Sequence, residues 1–251
     1  MSKPTQDPWQ TLRQFTQARI AQGHAGCGTP TKALLDFQLA HAAARDAVHQ
    51  PWDVEQFAQS VQNFGLETLC LTTPIINRQQ YLLRPDLGRQ LSDSSQLLLK
   101  IRPKKPSDVV IIITNGLSSK ALDAHGLPLL ETLLAAFKTS TIQLGPICLI
   151  PDGRVALSDE IGALTAARLV IMIVGERPGL SAADSLGIYL THSPQPSNTD
   201  ADRNCISNVR PPDGLSYEEA AAKTLYLSQK ALKCGFTGVA LKDEMPAYLL
   251  D

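Results

Sequence analysis

Arg168-Leu-Val-Ile-Met-Ile-Val-Gly-Glu-Arg-Pro-Gly-Leu-Ser-Ala-Ala-Asp-Ser-Leu-Gly187 is the stretch on which the reading of this chain turns. Its apolar, β-branched first half is short enough for a strand buried on both faces of a parallel sheet. A charged loop bounded by Gly175 and Gly187 then leaves that hidden strand. In open α/β sheets ligands gather beyond the carboxyl ends of the strands, and Glu176 and Arg177 are expected at that edge. Pro178 fixes φ and Gly179 frees it, as suits backbone close to a ligand, although an ordinary solvated pair at 176 and 177 is the competing reading.

Outward from this stretch, strand and helix patterns alternate. Val109–Thr114, Ile147–Ile150, Leu169–Val174 and Ile188–Thr191 read as strands; Ser118 to about Phe137, Leu157–Arg168 and Tyr217 to about Lys233 read as helices. The alternation predicts an α/β, Rossmann-like fold, a mostly parallel sheet with helices on both faces and right-handed crossovers. Gly-Leu-Ser recurs at Gly116–Ser118, Gly179–Ser181 and Gly214–Ser216, and each serine is expected to cap a helix, the first two at one edge of the sheet. Lys120, Ala183 and Glu218 stand where Gly-x-Ser-x-Gly needs its last glycine, so a hydrolase elbow is not supported. Neither a Gly-x-Gly-x-x-Gly after the first strand nor a phosphate-binding Gly-x-x-x-x-Gly-Lys-Ser is present. Asp123-Ala-His125 imitates the start of a cobalt-ligating Asp-x-His-x-x-Gly motif, but Pro128 replaces its glycine, and the segment is read as the polar face of a helix.

Before the sheet the pattern is helical. Asp7-Pro8 opens a helix that Gly23 closes, with Trp9, Leu12 and Ile20 on its apolar face. A second helix runs from Thr29-Pro30 to about His49, with Leu34, Phe37, His41, Ala44 and Val48 in one stripe and His41 read as a core histidine. A third spans Asp53 to Gly65. Arg84, Asp86 and Arg89 crowd a break at Pro85 and Gly88, which suits an internal ion network or a docking surface. Arg102-Pro-Lys-Lys-Pro-Ser107 reads as a linker, dividing an N-terminal helical docking region (1–106) from the sheet domain (107–251).

A net charge of -1, from 23 basic and 24 acidic side chains, gives no field that would draw nucleic acid or membrane. Five cysteines without a Cys-x-x-Cys pair argue against a disulfide framework and a structural zinc site, and for a reducing cytoplasm. The start lacks the apolar core of a secretory signal, and no run is long enough to span a bilayer. Asn198–Asp213 is too polar for a core strand and is expected to fold over the same sheet edge, with Cys205 as a wall residue or a buried structural thiol.

Leu34-Leu-Asp-Phe-Gln-Leu-Ala-His41 with Ala44-Arg-Asp-Ala-Val48, Arg84-Pro-Asp-Leu-Gly-Arg89, Asn115-Gly-Leu-Ser118, Gly175-Glu-Arg-Pro-Gly-Leu180, Arg203-Asn-Cys-Ile-Ser-Asn208 and Gly214-Leu-Ser-Tyr217 together resemble the small (light) subunit of ethanolamine ammonia-lyase, in order and over nearly the whole chain. The resemblance implies an adenosylcobalamin-dependent lyase that converts ethanolamine to acetaldehyde and ammonia as a hetero-oligomer. In it the large subunit carries the substrate and catalytic residues, and the small one helps enclose the cofactor. It places cofactor-lining positions on Val155, Glu176 and Cys205, with no catalytic and no metal-ligating residue in this chain. A carboxylate can accept corrin amide N–H groups, and valine and a thiol can pack on the ring's apolar flank. The family's cobalamin keeps its own dimethylbenzimidazole on cobalt, in accord with the missing histidine motif. Asn115 stands where the family often has Asp. Some relatives carry an extra N-terminal segment that directs them to a bacterial microcompartment; little precedes the first helix here, so free cytoplasm is the expectation. The sheet alone would equally fit a stand-alone Rossmann-like binding or hydrolytic domain.

Overall fold

The computed structural model describes residues 5, 7–105 and 107–246. Six strands form one sheet in the order β1-β3-β2-β4-β5-β6, namely β1 (Thr68–Cys70), β2 (Val109–Thr114), β3 (Leu144–Leu149), β4 (Leu169–Gly175), β5 (Leu186–His192) and β6 (Arg203–Val209). The helices are α1 (Thr31–His49), α2 (Val54–Gln62), α3 (Arg78–Leu83), α4 (Asp93–Ile101), α5 (Ser119–Ala121), α6 (Leu127–Lys138), α7 (Leu157–Thr165) and α8 (Tyr217–Cys234).

The fold is α/β with a mixed sheet. β1 to β4 pair in parallel, whereas β5 pairs antiparallel with both β4 and β6. The expected succession of crossovers therefore stops at β4. No helix forms over residues 176–185, and a parallel return needs a connection of a dozen or more residues, so the chain folds back as a hairpin. Ser181, read as a helix cap, lies instead in this loop beside a turn closed by Gly179 N–H donating to the Ala182 carbonyl at 2.7 Å. The polar run after Asn198 supplies β6, an edge strand whose Arg203, Ile206 and Val209 are buried while Cys205, Ser207 and Asn208 face outward. One exposed face explains how so polar a run becomes a strand.

β2 and β4 are buried at every position. Val109, Ile111, Ile113, Ile171 and Ile173 pack with α2, α6 and α8 on one face, whereas Val110, Ile112, Val170 and Met172 pack with Leu99 of α4 and Leu157 and Ile161 of α7 on the other. The caps follow from the sequence: Asp53, Ser118 and Ser216 accept from Gln56, Ala121 and Glu219 N–H, and Gly235 closes α8 with φ 84°. Ser92 caps α4, which the sequence reading did not anticipate. A π-helical turn, Leu122–Gly126, joins α5 to α6 and rotates His125 inward, so it is buried and not on a polar face.

The N-terminal part differs most from expectation. Asp7 does accept from Trp9 N–H, but only a 3-10 turn at Gln10–Phe15 follows. Trp9 and Leu12 are exposed, and in α1 only Ala47 is buried. His41 is likewise exposed and stacks on Phe37, so it is no core histidine. Most of these apolar groups stay exposed within the described chain, and without burial nothing offsets the entropy of forming a longer helix. Further along, residues 68–70 carry no strand pattern in the sequence, yet β1 extends the sheet there, so the segment before residue 106 is not purely helical.

Among the described residues no helix is long and apolar enough to cross a membrane.

Candidate functional site

The helix after β2 packs on one face of the sheet and the helix after β3 on the other, so the loops leaving these neighbouring strands diverge. A crevice opens between them at the carboxyl edge. It contains a cavity of about 410 Å³ lined by Tyr81, Gly116, Arg154, Val155, Glu176 and Tyr189 among others. A second cavity of about 510 Å³ shares Arg154, Val155 and Tyr189 with the first and extends past Arg89 to Cys205 and Asp200.

The crevice floor is held by buried polar contacts. Asn115 is 3 % exposed; its Oδ1 accepts from Asp152 N–H at 2.7 Å, and its Nδ2 donates to Ser119 Oγ at 3.1 Å and to Asp152 Oδ1 at 3.4 Å. An amide suits this place, because an aspartate would set two carboxylates against each other. Arg78 answers the single Asp152 charge at 2.6 Å and also donates to the Gly116 and Val48 carbonyls. Gly116, with φ 49°, lets the loop after β2 touch the end of β4, where Leu117 N–H donates to the Gly175 carbonyl at 2.9 Å.

Tyr81 anchors the loop after β3 from below. Its ring is fully buried between two guanidinium groups, Arg78 at 4.7 Å and Arg154 at 4.1 Å from the centroid, and its hydroxyl donates to the Gly153 carbonyl at 3.0 Å. Burial pushes the phenol up to about 12, so it stays a neutral donor.

All three residues singled out from the sequence reach this crevice. Val155 lies on the wall common to both cavities, Glu176 on the first and Cys205 on the second. Glu176 follows β4 directly, and its Oε2 accepts from Asn208 N–H of β6 at 3.2 Å. Gly187 makes room for it, since an added Cβ would come within 3.0 Å of Glu176 Oε1. Cys205 is exposed, which removes the buried-thiol reading, and it pairs across β5–β6 with Tyr189. Burial holds the Tyr189 phenol above its ordinary range. Arg177 is exposed and lines the rim of the first cavity.

Sequence reasoning did not single out Tyr81, Arg154, Tyr189 or Arg203. In the Arg84–Arg89 motif, Arg84 and Asp86 form an exposed pair and no internal ion network, whereas Gly88 packs beneath Arg154. Among the described residues no group of three or more His, Cys, Asp or Glu side chains could hold a metal ion.

Comparison with known proteins accounts for the whole chain. The family model "Ethanolamine ammonia-lyase light chain (EutC)" matches residues 6–242. The chain is 47% identical over 253 residues to an ethanolamine ammonia-lyase small subunit of Azotobacter vinelandii, with 100% of this chain and 93% of the relative covered. It is 47% identical to one of Pseudomonas fluorescens Pf0-1, again covering 100% and 93%. A third, from Ralstonia nicotianae, is 46% identical with 98% and 92% covered. With its motifs, its match to the family over nearly every residue and its full-length relatives in agreement, this chain belongs to the ethanolamine ammonia-lyase small-subunit family.

Proposed function

We propose that this chain works as the small subunit of an adenosylcobalamin-dependent ethanolamine ammonia-lyase, forming one wall of the cofactor site against a large subunit that holds substrate and the catalytic residues. The observation that carries this is the convergence of Val155, Glu176 and Cys205, from three separate segments of chain, on two contiguous cavities at one sheet edge.

The residues fit such a group. Adenosylcobalamin is a large ring with apolar faces, an amide fringe and a nucleotide tail, and when bound it supplies the radical chemistry that converts ethanolamine to acetaldehyde and ammonia. Val155 and Tyr189 offer apolar surface along the shared wall, Glu176 offers an acceptor to amide N–H groups and Arg154 a donor. Asn208 N–H orients the Glu176 carboxylate, and the role assigned to it here is binding, not proton transfer.

Residues 1–106 are proposed as the docking part and 107–251 as the cofactor-contacting part, with the docking face narrowed to residues 7–49. There Trp9, Phe15, Leu35 and Leu39 are 65, 78, 57 and 72% exposed, an apolar surface of the kind that a permanent partner covers.

The test is ethanolamine turnover and adenosylcobalamin affinity with the large subunit present and absent. Turnover is expected only from the assembly. A hydrogen bond to a carboxylate is worth roughly 1.5–3 kcal/mol, so Glu176→Ala should weaken cofactor affinity about tenfold or more and Glu176→Gln less, with turnover at saturating cofactor nearly kept. Normal affinity with abolished turnover in Glu176→Gln would make the residue an acid or base and overturn the reading.

A further inference from the structure

We propose that Arg78 is a positioning residue for assembly: it joins the docking helix α1 to the crevice, so that a large subunit seated on α1 also tightens the crevice loops. The inference rests on the docking reading above.

Helix α1 has 19 residues, a length of about 28 Å, yet only Ala47 in it is buried. With no packed face to orient it, its direction depends on its ends. At the last turn Arg78 Nε donates to the Val48 carbonyl at 2.7 Å, and Gln50, the C-cap, donates to Asp123 Oδ2 at 2.6 Å. At the first turns α1 lies against the N-terminal segment, where Arg19, Ala33 and Asp36 line a common cavity. That segment reaches the loop after β4: Arg19 Nη2 donates to the Leu180 carbonyl at 3.2 Å and Ser181 Oγ to the Gln17 carbonyl at 3.4 Å. Both of these bonds are exposed, whereas the Arg78 side chain is only 15% exposed. The firm tie is therefore the one at Arg78.

Arg78 opens α3 behind its Asn77 cap, and its guanidinium lies 4.7 Å from the centroid of the buried Tyr81 ring. Nη1 donates to the Gly116 carbonyl after β2 at 2.8 Å and to Asp152 Oδ1 after β3 at 2.6 Å. One side chain thus meets the end of α1 and the loops leaving two neighbouring strands. A planar fork can serve several acceptors at once, and a cation is favoured at the carbonyl end of a helix. Lysine would keep the charge beside Asp152 and lose the fork. Fixing α1 before docking lowers the ordering cost of association, and by linkage the docked partner then holds the crevice loops in return.

The experiment uses the full chain with its large subunit, without cofactor, and compares wild type with Arg78→Lys. It reads the dissociation constant between the subunits and hydrogen exchange at Leu117 and Gly153, whose N–H groups donate to the Gly175 carbonyl and Thr114 Oγ1. In wild type, saturating large subunit should slow exchange at both amides. In Arg78→Lys the subunit affinity should fall about tenfold, as loss of a hydrogen bond from a charged group gives, and at saturation the slowing should shrink severalfold. Should Arg78→Lys fail to fold, Arg78→Gln with Asp152→Asn leaves no unpaired charge and is expected to behave the same way. Unchanged affinity in a folded variant, or equal slowing in variant and wild type, means that Arg78 serves the fold alone or that the partner covers the amides directly, and overturns the proposal. Leu35→Gln with Leu39→Gln separates the two readings. Full affinity in that variant removes the docking face and the joint with it; lost affinity there, with unchanged affinity in Arg78→Lys, removes the joint and leaves the docking face.

Discussion

Arg203 grips Asp159 through two parallel hydrogen bonds of 2.6 and 2.7 Å, with both side chains almost wholly buried. The pair joins β6, which carries Cys205, to α7, which follows Val155, and so fixes two walls of the second cavity relative to each other. Asp159→Ala leaves a buried guanidinium uncompensated and is expected to cost about 3–5 kcal/mol. Replacing both partners, Asp159→Leu with Arg203→Met, should restore much of that loss. Urea denaturation measures both; a single-variant loss below about 1 kcal/mol would show that the pair is not needed to hold β6.

Gly175, the last residue of β4, and Gly179 in the loop that follows should respond differently to alanine. At Gly175 an added Cβ would collide with the Ser118 and Asn115 carbonyls, which belong to rigid backbone. Gly175→Ala is therefore expected to destabilise by about 1–3 kcal/mol or more, through overpacking. Gly179→Ala meets only the Ala182 backbone, its carbonyl at 3.5 Å and its nitrogen at 3.9 Å, and should stay within about 0.5 kcal/mol of wild type. Equal midpoints for the two variants in guanidinium would show that the close approach at the crevice floor is not rigid.

His125 gives the fold a dependence on pH. Burial lowers its pKa below the ordinary 6.5, and its Nδ1 lies 2.7 Å from the Tyr217 hydroxyl while Nε2 is buried without a partner. The unfolded chain then binds the extra proton more readily than the folded one, so stability is present above about pH 6.5 and is lost as pH falls through the lowered folded value. His192 is shifted the same way, so the contribution of His125 is read as the difference between wild type and His125→Gln. Melting temperatures at about pH 8 and about pH 5 should differ less in the variant; an unchanged difference would assign the effect elsewhere.

The exposed leucines of α1 separate docking from folding. Leu35→Gln with Leu39→Gln removes apolar surface that contributes little to this chain's own core, so the melting temperature should hardly move. Recovery of the large subunit on a tagged chain is expected to fall severalfold, since buried leucines of this kind are worth roughly 1.5–3 kcal/mol each. Full recovery would place the docking face elsewhere. Deleting residues 1–102 is a poorer test, because it also removes β1, Tyr81, Leu91 and Leu99 from the sheet and its core.

The sequence by itself determined the α/β class, the buried strands β2 and β4, the caps at Asp53, Ser118 and Ser216, and the family. These are legible because uninterrupted β-branched runs, capping residues and family motifs are local in the chain. Glu176 could be placed at a strand end for the same reason. Only the tertiary structure decided that β5 turns back, that β6 is a strand with one exposed face, that His41 lies outside and His125 inside, and that the first apolar stripes have no cover within the described chain. An apolar stripe has the same period whether its partner is in the same chain or another, so periodicity cannot say what buries it. The assembly of Tyr81, Gly88 and Arg154 likewise joins residues some seventy positions apart, by packing and a backbone hydrogen bond that leave no periodic trace in the sequence.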